Sequence, residues 1–126
     1  MKPRLIELHR RVTDKPGYLV PIEDIDVGFP IRRMFYITGF SDDNNVRGGH
    51  GHVNTTELVL CIAGTLEIEA GGDAFTLADD TTGLLIPPGN FIKMKMSRNA
   101  IVLVICDTVV KDAAIYTTEE HLRTSV

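Results

Sequence analysis

No apolar run in the sequence approaches the roughly 20 residues that a bilayer-spanning helix requires, and Met1 to Arg11 lacks the apolar core of a secretory signal. The expectation is a cytoplasmic protein with no membrane partner. A basic stripe is also missing: the positive residues are scattered apart from Arg10-Arg11 and Arg32-Arg33, and the formal net charge is −4. A phosphate backbone demands the reverse, so nucleic acid is not an expected partner. Cysteine is scarce. Cys61 and Cys106 each lie inside an apolar run, where a free thiol behaves as a small hydrophobe, so both are expected to be buried and reduced. Helical periodicity is hard to find, and there is no internal repeat, low-complexity tract or domain linker. The 126 residues suffice for one continuous core but not for two, which predicts a single domain over 1–126.

What the chain does have is a succession of short β-branched and apolar runs bounded by Gly, Asp, Asn and Pro, the spacing of an all-β sandwich or barrel. Strands are expected over Tyr18–Ile22 after the turn Asp14-Lys15-Pro16-Gly17, and over Ile31–Thr38 after Gly28-Phe29-Pro30. Val46–Val53 and Glu57–Ile62 follow, with a bend at Asn54-Thr55-Thr56. Thr65–Ala70 and Ala74–Leu77 flank Gly71-Gly72-Asp73, a hairpin signal because glycine reaches the positive φ angles of tight turns. Leu84–Ile86, Phe91–Met96 and Ala100–Cys106 complete the set, the last being apolar throughout and therefore expected to be covered on both faces. From Lys111 the text turns polar, and Thr117–Arg123 reads as one short helix or a frayed tail.

Within this pattern stands Arg47-Gly48-Gly49-His50-Gly51-His52, followed by Glu57 after four intervening residues and Gly64 after six more. Histidines at i and i+2 on a strand point to the same face, so both imidazoles enter one cavity. The surrounding glycines leave room for a ligand to approach the backbone. The alternative is an outward, solvated pair beside a glycine loop. Glu57 stands at an odd offset from His52 and shares its face only if the intervening bend changes the register.

The spacing His-x-His-x4-Glu-x6-Gly resembles the first motif of the cupin superfamily, and Gly83, Pro87, Pro88 and Gly89 resemble the second. In metal-binding cupins a histidine follows the second motif's last glycine by three residues; here that position is Ile92. A closer resemblance runs along most of the chain. Asp14-x-x-Gly17-x-Leu19-x-x-Ile22-Glu23, Phe29 through Ile37, Arg47-Gly48-x-His50-x-His52 and Leu60-Cys61-x-x-Gly64-Thr65 are similar to the nucleotide-linked sugar 3,4-ketoisomerases, small WxcM-like cupins of deoxysugar pathways. The resemblance implies a double-stranded β-helix jelly roll, a homodimer, and action on dTDP-4-keto-6-deoxyglucose without a metal or organic cofactor. It also implies that His50 and His52 are the acid/base groups.

That chemistry suits imidazole. Moving a ketone from C4 to C3 takes a proton from C3, forms an enediolate and returns a proton at C4, and a group with an ordinary pKa of roughly 6.5 can do both near neutrality. His50 is expected as the main base and His52 as its partner or carbonyl polariser. Arg47 and Arg33 could pair with the substrate diphosphate, Tyr36 could donate to the enediolate oxygen, and Phe91 could offer an aromatic platform. The chain departs from the family at Pro16, Val53, Glu57 and Phe91-Ile92, where Arg, Lys, Gln and Trp-His are usual. Two other readings stand beside the ketoisomerase: a metal-dependent cupin using His50, His52 and Glu57, and a non-catalytic sugar-nucleotide binding barrel.

Overall fold

Two antiparallel five-stranded sheets face each other across an apolar interior in the computed structural model, which describes residues 1–110 and the backbone of 115–116. The first sheet has the order β1 (Arg4–Glu7), β9 (Thr82–Ile86), β6 (Glu57–Ala63), β11 (Ile101–Cys106), β4 (Arg33–Ile37). The second has the order β12 (Ile115–Tyr116), β5 (Asn45–His52), β10 (Phe91–Met96), β7 (Leu66–Ala70), β8 (Asp73–Leu77). This is the all-β architecture that the strand spacing predicts and the cupin-type jelly roll that the resemblance implies. The expected helix or tail over Thr117–Arg123 lies outside the described residues.

Side-chain alternation decides which sheet is covered on both faces. In β7, Leu66, Ile68 and Ala70 are buried while Glu67 and Glu69 are exposed, and β10 repeats this with Ile92, Met94 and Met96 inside and Lys93 and Lys95 outside. The outer face of the second sheet therefore meets water. In β6, by contrast, Glu57 through Cys61 are all buried. The inner set, Val59 and Cys61, packs with Leu84, Val102 and Val104 against the second sheet. The outer set, Leu58 and Leu60, packs with Leu85 and Ile105 beneath the amino-terminal segment, through Leu8, Val27 and Phe29. At roughly 1.5–3 kcal/mol for each fully buried aliphatic side chain, this second core makes residues 1–31 part of the fold.

Three local outcomes differ from the sequence reading. The strand expected over Tyr18–Ile22 shrinks to β3 (Tyr18–Leu19), paired with β2 (Arg11–Val12); Pro21 cannot donate to a ladder, and Val20 and Ile22 pack on the outer core instead. The strand expected from Ile31 starts only at Arg33, because the Ile31 amide is held by the Asp24 carboxylate at 3.0 Å. Asp24 opens α1 (Asp24–Val27), a single turn that apolar periodicity does not reveal. It is capped at its start by the Asp26 carboxylate, which accepts from the Glu23 amide at 2.8 Å, and closed by Gly28. The Gly71-Gly72 hairpin forms as expected, joining Ala70 to Asp73 with both glycines at positive φ.

Candidate active site

His50 and His52 reach one cavity because they stand two apart at the end of β5. Their rings meet edge to face, with centroids 5.1 Å apart and planes at 85°. His50 is half-buried against the cavity of about 810 Å³, within the range typical of small-ligand sites. His52 lies behind it at 6% exposure. The end of β5 is anchored by the Gly89 amide, which donates to the His52 carbonyl at 2.7 Å; the Pro-Pro-Gly turn of the second motif thus holds the first.

Arg47 precedes His50 by three residues, an offset that on a regular strand would put the two on opposite faces. A bulge corrects it. His50 pairs with Ile92 but Gly48 pairs with Lys93, so Gly49 is an extra residue in β5. Gly48 and Gly49 both have positive φ, at 97° and 68°. A Cβ on Gly48 would lie 2.8 Å from the Ile92 carbonyl oxygen. The paired glycines therefore bring Arg47, His50 and His52 to the same cavity wall.

The facing wall comes from the first sheet, where Arg33, Cys106 and Glu57 are paired across β4, β11 and β6 and so share its inner face. Glu57 is brought to His52 by the crossover between sheets, so the odd offset along the chain does not matter. The turn is fixed by Asp107, whose carboxylate accepts from the Thr56 amide at 2.9 Å. Glu57 Oε1 lies 3.4 Å from His52 Nε2, and its Oε2 faces the Cys106 Sγ at 3.7 Å. Arg33 crosses the Phe35 ring at 4.6 Å and lines the same cavity.

Burial governs protonation here. It lowers the His52 pKa to about 4, helped by the charges of His50 and Arg33. It raises Glu57 to about 7, against the opposing effects of the Cys106 thiol and Arg33. The closeness of Glu57 and His52 suggests an ion pair, but desolvation pushes both groups toward neutrality, and we describe them as a carboxyl–imidazole pair. Burial and the Glu57 charge push the Cys106 thiol up to about 12, which removes it as a nucleophile. Cys61 and Cys106 are both buried and unbridged, as their apolar runs predict.

One expected group falls elsewhere, and a second stands only at the cavity's mouth. Phe91 is not on the cavity wall: it precedes Ile92, and alternation turns it to the outer face, into a hollow with Glu69, Asp73 and Lys93. Ile92, Met94, Val59 and Val104 form an apolar floor in its place, and the pattern Phe-Ile-Lys-Met-Lys-Met carries the signal for it. Tyr36 borders the mouth at 66% exposure and stands opposite Leu103, on the strand face away from Phe35 and Ile37. Among the described residues no three His, Cys, Asp or Glu side chains are grouped to hold an ion.

Solved structures of similar shape are sugar-nucleotide enzymes. The 3,4-ketoisomerase QdtA from Thermoanaerobacterium thermosaccharolyticum, in complex with TDP, has a TM-score of 0.86 and 26% identity over 98% of this chain and 94% of its own. A histidine-to-asparagine mutant of QdtA, in complex with TDP-4-keto-6-deoxyglucose, has a TM-score of 0.87 at the same identity and coverage. WlaRB, a TDP-quinovose 3,4-ketoisomerase from Campylobacter jejuni, has a TM-score of 0.86 and 26% identity over 95% of each chain. No curated protein matches the sequence. A family model described as WxcM-like, C-terminal matches residues 1–125, and with that match across almost its whole length the chain belongs to the WxcM-like family.

Proposed function

We propose that the protein is a TDP-sugar 3,4-ketoisomerase that moves the keto group of TDP-4-keto-6-deoxyglucose from C4 to C3 through an enediolate. The observation that carries this reading is the edge-to-face pair of His50 and His52 in a cavity that Arg47 lines from the same wall and Arg33 from the facing one. His50, half-buried at the cavity, takes the proton from C3 and returns one at C4, while the O3 hydroxyl proton passes to O4 through the enediolate, so that C3 becomes the ketone and C4 the alcohol. His52 is held neutral by burial, so it serves as a neutral hydrogen-bonding partner and not as an imidazolium acid. Arg33 and Arg47 supply forked donors for the diphosphate, and the floor of Ile92, Met94, Val59 and Val104 suits the methyl group of a 6-deoxy sugar. No step calls on a cofactor. Known relatives solved with TDP and with TDP-4-keto-6-deoxyglucose support the choice of nucleotide and sugar.

The test is incubation with TDP-4-keto-6-deoxyglucose in deuterated water. Deuterium appearing at C3 or C4, together with a 3-keto product, is the expected result. Absence of both exchange and product would leave a binding barrel.

We also propose a cytoplasmic homodimer. The unbridged thiols suit a reducing compartment. Among the described residues β4 is a sheet edge, and beside it Met34 and Tyr36 are 60% and 66% exposed. An open edge flanked by apolar side chains is commonly covered by a second copy. Sedimentation at micromolar concentration should give twice the monomer mass, and a lone monomer would refute the dimer. Cell fractionation tests the location.

A further inference from the structure

Glu57 is not used by the reaction as written, yet it is a carboxyl group at 5% exposure against one of the two histidines. We propose that Glu57 is a positioning residue that decides which nitrogen of the His52 imidazole carries the proton. This rests on the ketoisomerase reading for its consequence, but not for its geometry.

The geometry is a chain of contacts between the two sheets. Glu57 Oε1 approaches His52 Nε2 at 3.4 Å while Oε2 faces the Cys106 thiol, so the carboxyl group is held on both sides. The other ring nitrogen, His52 Nδ1, is buried without a hydrogen-bond partner among the described residues. A buried polar atom left unpaired is costly, so what it carries matters. The charged and titratable groups around the pair are His50 on β5, Arg33 on β4, and Cys106 and Asp107 at the end of β11; β9 contributes the apolar Ile86.

Two protonation forms follow. With Glu57 protonated, its O–H donates to Nε2, and the single ring proton sits on Nδ1. With Glu57 ionised, one proton has left to solvent; the ring proton moves to Nε2 to face the carboxylate, and Nδ1 becomes a lone-pair acceptor. His52 remains a neutral imidazole in both. Burial places the Glu57 ionisation at about 7, so both forms are populated near neutrality. His52 therefore presents a donor toward Nδ1 in one form and an acceptor in the other. The tautomer also sets the direction of the ring dipole beside the His50 ring, whose centroid is 5.1 Å away, and so the field in which His50 transfers its proton.

The experiment is nitrogen NMR of the labelled full chain across about pH 6 to 8, on the parent and on Glu57→Gln, with TDP titrations and rate profiles on both. In the parent, His52 should exchange its donor and acceptor nitrogens around neutrality. In Glu57→Gln it should keep one tautomer throughout, and the rate profile should differ in shape from the parent's near neutrality, because only the Glu57 ionisation is removed, while TDP affinity stays as in the parent. A parent His52 holding one tautomer across the range overturns the proposal, as does a Gln variant that titrates like the parent. If the variant does not fold, the parent spectra alone decide. Because the spectra need no turnover, a protein without isomerase activity can still pass or fail this test.

Discussion

Ile92 stands directly opposite His50 in the β5–β10 pairing, on the cavity face. Directly paired residues on one face place their Cβ atoms about 4.5–5.5 Å apart, so an imidazole at 92 would be a near neighbour of His50 and would add a third histidine to the wall. Ile92→His is expected to make the protein retain a divalent transition metal through gel filtration, where the parent retains none. It should also cost about 1–3 kcal/mol of stability, because a polar ring replaces an aliphatic side chain that is 3% exposed. Elemental analysis of both proteins checks this, and equal metal content in the two would show that position 92 does not control metal binding.

The histidine and arginine roles separate by measurement. His50→Asn should lower turnover by about 100- to 10,000-fold, the usual worth of a positioned acid/base group, and leave TDP affinity unchanged. Arg47→Ala should weaken TDP binding by roughly tenfold to a hundredfold, the loss of one charge-assisted hydrogen bond. Calorimetric titration of TDP into each variant distinguishes them, and unchanged affinity in Arg47→Ala would place the diphosphate elsewhere.

The bulge at Gly48-Gly49 is predicted to be indispensable to the cavity wall. Gly48→Ala forces a side chain into φ +97°, with its Cβ 2.8 Å from a carbonyl oxygen. A loss of about 1–3 kcal/mol is expected, together with weaker TDP binding as Arg47 shifts. Thermal unfolding with TDP titration checks it, and a variant with parental values in both would mean that the bulge is not needed for the site.

Much of this was legible in the residues, for identifiable reasons. A period of two is intrinsic to a strand, so His50 and His52 could be placed on one face without knowing the fold. The Gly71-Gly72 turn and the double coverage of β11 are equally local. Other features depend on events that no short pattern encodes. Glu57 reaches His52 because the chain changes sheets between them, and Arg47 shares their wall because one glycine is unpaired. Phe91 is the reverse case: its outward direction was encoded by Lys93 and Lys95, but the family resemblance assigned it to the ligand.

The last prediction concerns pH and stability. Glu57 has its pKa raised in the fold from 4.5 to about 7. Between those values the folded state binds more protons than the unfolded one, so this group makes stability fall as pH rises through the window. His52 is lowered from 6.5 to about 4, and the unfolded state binds the extra proton there, so its contribution rises with pH from about 4 to 6.5. The two nearly cancel where they overlap. Glu57→Gln removes only the falling contribution. Relative to the parent, the variant should therefore gain stability steadily from pH 4.5 to about 7, by up to about 3 kcal/mol, and change no further above that. Urea unfolding of both proteins at a series of pH values measures the difference, and a difference independent of pH would mean that Glu57 is ionised in the fold and paired with a charged His52.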